Sequence, residues 1–161
     1  RLRIDSSGRL LLGTTTEGAD SGDDLTISNS GNMGLTLRST DSNYCNIYFS
    51  DATSGTAEYA GYVSYQHSTD SLQFATASTE RLRIDSSGHT LPGSNNSYNL
   101  GSSSTRWANV YTNDLHLSNQ GSTNSVDNTW GDYTIQEGES DLFLINNRSG
   151  KKYKFNLTEV S

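Results

Sequence analysis

Arg1-Leu2-Arg3-Ile4-Asp5-Ser6-Ser7-Gly8 returns unchanged as Arg81-Leu82-Arg83-Ile84-Asp85-Ser86-Ser87-Gly88. An eight-residue identity inside 161 residues marks internal repetition, and long-period repetition is the sign of a modular array. Leu-Arg-Ile alternates apolar and polar residues, as a half-buried strand does. Asp-Ser-Ser-Gly reads as the tight turn out of it. The octapeptide is therefore taken as the closing strand of a module of 80 residues.

Short runs of the same kind fill the module. Leu10-Leu12, Leu25-Ile27, Leu35-Leu37, Ile47-Phe49, Tyr62-Tyr65, Leu72-Phe74 and Leu82-Ile84 read as strands. Gly, Asn, Asp and Ser separate them, residues that reach or tolerate turn conformations. Spacing of roughly 8–12 residues between runs suits an all-β architecture. No helix is expected beyond one turn within Ser104 to Val110.

The second octapeptide copy leads through His89-Thr90-Leu91-Pro92 into different sequence. Three regions follow: a shaft module over 1–88, a transition or neck over 89–129, and a β-rich cap or tip over 130–161. Residues 119–129 are rich in Ser, Asn and Thr and read as a loop or linker. The cap holds strand-like runs at Tyr133-Gln136, Leu142-Ile145 and Tyr153-Leu157. Asn146-Asn147-Arg148-Ser149-Gly150 reads as the hairpin turn between the last two.

Composition limits what one chain can do alone. Hydrophobic residues make up 31%, where a typical domain has about 45%. Ser, Thr, Asn and Gly together supply 74 of the 161 residues. Disorder does not fit, because disordered chains lack aromatics and this one has nine Tyr, four Phe, two Trp and a single Pro. The composition instead implies a thin core completed by other copies. A net charge of −7 disfavours nucleic acid and anionic membranes as partners. No apolar run approaches the ~20 residues of a membrane span. The chain opens inside a repeat, without Met or a signal peptide, and is taken as a piece of a longer polypeptide.

Three stretches resemble fibre proteins of tailed bacteriophages, particularly those infecting marine bacteria and cyanobacteria. They are Gly61 to Phe74 running on to Glu80-Asp85, Asn99-Leu100-Gly101 through Arg106-Trp107-Ala108-Asn109-Val110-Tyr111, and Trp130 to Glu139 through Lys151 to Val160. The resemblance implies an elongated, intertwined parallel homotrimer, with short strands around a threefold axis and a C-terminal tip. It implies a virion protein, made in the host cytoplasm and displayed extracellularly. Its partners would be two further copies of itself, other tail or baseplate proteins through a preceding N-terminal part, and a host surface glycan such as lipopolysaccharide. Ser161 is expected to be the natural end rather than a product of self-cleavage. The alternatives are a collar, head or spacer fibre without a receptor, and a fragment of a glycan-depolymerising tailspike.

Trp130 and Tyr133 are the receptor-binding candidates, being aromatics beside a polar loop near the tip. Tyr44, Tyr48, Tyr59, Tyr62 and Tyr65, with Trp107, are read first as packing. Asp132, Glu137, Glu139 and Asp141 form the densest acidic cluster. A glycosidase needs two carboxyls about 5–10 Å apart across a sugar, but Gln136 to Asp141 reads as a solvated turn. Asp20, Asp23 and Asp24 lack calcium-loop spacing. His67, His89 and His116 are far apart, so metal binding through them would need a threefold axis. Cys45 is read as a small buried hydrophobe. The sequons at Asn95, Asn147 and Asn156 are taken as accidents of composition in a bacterial host. No catalytic residue, cofactor or metal is expected.

Overall fold

The computed structural model describes residues 2–160. Arg1 and Ser161 lie outside them, and with them the expectation attached to the terminus. The chain is all-β, and among the described residues two short 3-10 turns at Gly55–Tyr59 and His67–Thr69 are the only helical segments. Two compact units divide at Asn99 and Leu100.

The first unit opens with a three-stranded sheet of β1 (Leu2–Ile4), β2 (Leu10–Leu12) and β3 (Leu25–Ile27). β1 and β2 form an antiparallel hairpin over the octapeptide, while β2 and β3 run parallel. The same unit holds a five-stranded antiparallel sheet, in order β4 (Tyr44–Phe49), β5 (Gly61–Gln66), β6 (Ser71–Thr76), β7 (Thr79–Ile84) and β8 (Thr90–Pro92). The second unit is an antiparallel sheet ordered β12 (Lys152–Lys154), β11 (Leu142–Asn146), β10 (Asp132–Glu137) and β9 (Leu115–Ser118).

From Leu2 to Gly8 and from Leu82 to Gly88 the two copies fold alike, and each ends in a hairpin turn. The Asp5 carboxylate accepts from Ser7 N at 2.8 Å and Arg9 N at 3.1 Å. The Asp85 carboxylate accepts from Ser87 N and His89 N, both at 2.9 Å. Gly8 N donates to Asp5 O, and Gly88 N to Asp85 O. Both glycines sit at φ +84°, the left-handed position of a three-residue hairpin loop closed by a bulge. Copy two thus does not end its sheet at Gly88: β8 turns back to pair with β7. The first unit reaches Asn99 for this reason.

The copies differ one residue later. Arg9 ties Asp5 to Asp23, with contacts of 2.7 Å to each. That clamp holds the connection into β3 against the hairpin. His89 occupies the equivalent place in copy two, where no parallel strand follows.

Two local expectations fail. Leu35-Thr36-Leu37 forms no strand, and Leu35 is 65% exposed. An alternating pattern makes a strand only when it pairs, and these residues pair with no strand although the outer edge of β4 is open. The helical turn within Ser104 to Val110 is also absent. Ser102 Oγ takes the Thr105 N–H, and Ser102 N donates to Thr105 O, which makes a serine-capped turn instead.

Strand register sorts the side chains of the five-stranded sheet by polarity and gathers apolar rows in the other two, although Phe143 and Ile145 fall on the opposite face of the last sheet, beside Gln136 and Thr134. In the five-stranded sheet, Ile47, Val63, Phe74, Leu82 and Pro92 lie in one row across the strands. Cys45, Tyr65, Leu72 and Ile84 form the next row on that face. The other face carries Tyr44, Asn46, Tyr48, Tyr62, Ser64, Gln66, Ser71 and Gln73. In the first sheet, Leu2, Ile4, Leu10, Leu12, Leu25 and Ile27 share one face. In the last, Leu115, Leu117, Ile135, Leu144 and Tyr153 do so.

Turn geometry carries two predictions. Thr76 pairs with Thr79, so Ala77 and Ser78 form a two-residue loop with φ of 51° and 57°. Such loops favour Asn-Gly, because other residues crowd Cβ against the carbonyl. The double variant Ala77→Asn/Ser78→Gly should gain about 1–2 kcal/mol in urea unfolding. Gly88→Ala should lose about 1 kcal/mol, through backbone strain alone, since a Cβ there meets nothing within 4 Å.

Acid should act through the same turns. The Arg9 side chain holds the Asp5 carboxyl below the usual carboxylate range, and the His89 N–H does so for Asp85. A lowered folded pKa contributes stability above about pH 4 that is lost as pH falls through the folded value. The melting temperature should drop between pH 5 and 2. Asp5→Asn/Asp85→Asn should flatten that drop in a circular-dichroism melt series.

Candidate functional site

The apolar sheet faces are mostly uncovered. Leu11, at 1% exposure, and Ala75, at 8%, are the only buried hydrophobic residues among those described. Phe49 is 61% exposed and Ile4 70%, with Ile47, Leu82, Leu115, Leu117 and Tyr153 also open. Leu11 is buried because it points away from the apolar face. It lies in the row of Arg3 and Thr26. The parallel crossover into β3 packs on that side, with Gly18 N donating to Thr26 Oγ1.

Area puts a magnitude on this. The chain exposes 13021 Å². A compact protein of 17.5 kDa would expose about 7,900 Å², and two separate globules of that total mass about 9,500 Å². The excess, about 3,500 Å² at the least, exceeds the ~800 Å² per partner of an ordinary stable interface.

The tip candidates are held by the chain itself. Trp130 is half-buried, and the Arg148 guanidinium lies 3.9 Å from its ring centroid. Arg148 Nη1 also donates to Trp130 O at 2.6 Å. Arg148 is placed by the β11–β12 turn, where Asn146 Oδ1 accepts from Arg148 N and Ser149 N. Tyr133 Oη accepts from Asn146 Nδ2 at 3.0 Å. Tyr133 lines an open groove of about 610 Å³ with Leu117, Asn119 and Asn124, and Trp130 is not among its walls. The loop forming that wall is ordered by side chains. Asn124 Nδ2 donates to Asp127 Oδ1 and Thr129 O, while Thr129 N and Oγ1 donate to Asp127. These bonds hold the Asp127 carboxyl below its usual range, Thr129 contributing most.

The acidic cluster is dispersed. Asp132 and Glu137 stand at opposite ends of β10, about 17 Å apart at strand rise. Asp132 accepts from Asn147 Nδ2, and Asp141 pairs with Lys154 Nζ at 2.7 Å. Glu137 and Glu139 are exposed. Asp23 is bound to Arg9. The three histidines occupy separate places. His67 lies beside Cys45 and Tyr65, His89 sits in the second octapeptide turn, and His116 Nδ1 meets Thr134 Oγ1 at 3.0 Å. Among the described residues, no three His, Cys, Asp or Glu side chains are grouped to hold a metal ion. Cys45 is half-buried rather than buried. Its Sγ lies 3.3 Å from Leu37 O and 3.5 Å from His67 Nε2. Trp107 is 64% exposed.

Comparison with protein-family models, curated proteins and solved structures gave no match.

Arg148→Ala should remove both the stack on Trp130 and the bond to its carbonyl. The expected loss is about 1 kcal/mol, with the Trp130 emission shifted to the red. An unchanged spectrum would mean that Arg148 does not cover the ring in solution.

Proposed function

We propose that this chain is part of a non-enzymatic, homotrimeric fibre of a tailed bacteriophage virion that attaches to a host surface. The observation that carries the reading is the uncovered apolar face on all three sheets. Leu2, Ile4, Ile47, Phe49, Leu115 and Leu117 are exposed in one chain, a state that soluble proteins tolerate only where another surface covers it. Copies of the same chain are the simplest cover, because closed symmetric assembly repeats one complementary contact. The number three, the virion location and the glycan receptor come from the resemblance to phage fibres. Several copies of a weak site on one fibre would bind a repetitive cell surface through avidity.

Light scattering on the purified chain should give a mass of three times 17.5 kDa. Ile47→Asp and Phe74→Asp should each dissociate it and raise binding of a hydrophobic dye. A monomeric wild-type chain would sink the assembly. A trimer that adheres to no bacterial cell would move the reading to a collar, head or spacer fibre.

A further inference from the structure

The polar face of the five-stranded sheet holds a cavity that the fibre reading does not use. Its volume is about 300 Å³, at the lower end of the ~300–1,000 Å³ of small-molecule sites. β4 supplies Tyr44, Asn46 and Tyr48, β5 supplies Tyr62 and Ser64, β6 supplies Gln73, and the 3-10 turn supplies Tyr59. Alternation along the strands sets these residues opposite Ile47, Val63 and Phe74. A surface laid on the apolar face would meet Ile47, Val63 and Phe74 rather than these residues.

The rings form a wall. Tyr48 lies 6.1 Å from Tyr59 and 6.3 Å from Tyr62 between centroids, the second pair edge to face. Tyr48 is 54% exposed and Tyr44 48%, so ring surface is open to a ligand. The floor is polar although it is buried. Ser64 is 2% exposed and Gln73 7%. Ser64 Oγ donates to Asn46 Oδ1, and Gln73 Nε2 donates to Gln66 Oε1 at 3.0 Å. Each carboxamide therefore has one atom engaged. Asn46 Nδ2 and Gln73 Oε1 make no hydrogen bond to any described residue, leaving a donor on β4 and an acceptor on β6, with Ser64 of β5 between them. Both atoms are open to the cavity, because no buried side-chain nitrogen or oxygen among the described residues lacks a partner.

The walls carry no charge. Beside the cavity, Glu80 and Arg83 neutralise each other through bonds of 2.6 and 2.8 Å. Burial first, and Glu80 second, push the Tyr62 phenol up, which keeps it a hydroxyl donor at any ordinary pH. A ligand that suits these walls is neutral and ring-shaped, with an apolar C–H face for the tyrosines and hydroxyls for the amides.

We infer that this cavity is a binding site for a neutral pyranose, seated on Tyr48 and Tyr62 and hydrogen-bonded by Asn46 and Gln73. The site lies in the module closed by the second octapeptide copy, not at Trp130 and Tyr133. The inference does not depend on the phage assignment.

Saturation-transfer NMR on the whole chain, with the methyl glycosides of glucose, galactose, mannose and rhamnose as probes, tests it. At least one glycoside should take up saturation from tyrosine ring protons. Tyr48→Ala and Asn46→Ala should each weaken it about tenfold, the loss of one stacked ring or one hydrogen-bonded anchor, with an unchanged circular-dichroism melt. Tyr48→Phe, which keeps the ring, should bind as wild type does. No saturation with any of the four overturns the proposal. So does binding that Trp130→Ala abolishes and Tyr48→Ala does not, although a glycan-binding fibre would survive that result. A Tyr48→Ala variant that changes assembly mass without affecting the glycoside would also overturn it, by making this face a contact between copies. Pocket binding by a chain that adheres to no cell would leave the pyranose site standing and remove the attachment role.

Discussion

The constraint on which the structure depends is that each sheet has one apolar face and nothing in the chain to lay over it. Two sheets, or a sheet and a helix, normally solve this within a domain. Among the described residues there is no α-helix, and the long connections, such as 28–43 and 93–114, leave their apolar side chains Met33, Leu35, Trp107 and Val110 exposed. The single crossover that packs on a sheet covers the side bearing Leu11 and Thr26, not the leucine-rich one. The result is a protein whose backbone bonds are satisfied while its hydrophobic surface is not. That imbalance, with an excess of about 3,500 Å² of total accessible area by the size scaling, is the reason to look outside the chain for the rest of the core.

Backbone order is maintained by means that need no core. Carboxylates and amides of Asp5, Asp85, Asn124, Asp127 and Asn146 bind nearby N–H groups and fix the turns. This gives the abundant Ser, Thr and Asn a purpose. They supply local bonds where apolar burial is scarce. The Arg9 clamp has the same character, replacing buried area with charge-assisted bonds to Asp5 and Asp23. The polar floor under the tyrosines extends this chemistry into the sheet itself, and there it leaves one donor and one acceptor open to the cavity.

Much of this was legible from residue order, and the misses have causes. Alternation found the strands in the module, because a period of two is the direct consequence of pleating. It failed at Leu35-Thr36-Leu37, where the pattern is right and the segment nevertheless pairs with no strand. It also passed over Leu115-His116-Leu117-Ser118, which becomes β9 only because β10 lies beside it. Among the tyrosines, sequence reading placed Tyr44, Tyr48, Tyr59 and Tyr62 in a common repeat. It offered no way to see that Asn46, Ser64 and Gln73 stand between them, since their proximity comes from pairing across three strands. Even spacing put Tyr48 and Asn46 on one face of β4. Which residues of β5 and β6 join them is a matter of register.

Sequence by itself determined that the chain is β-structured, short of core, and built with a repeated turn. These properties follow from local rules: alternation, turn-forming residues and the count of apolar side chains. Tertiary structure decided that both octapeptide turns close hairpins, that Trp130 is capped by Arg148, and that polar and apolar faces segregate on opposite sides of the five-stranded sheet. Those outcomes depend on which strands pair and in what register. A shift of one residue would exchange the two faces, and no local property of the sequence distinguishes the two registers.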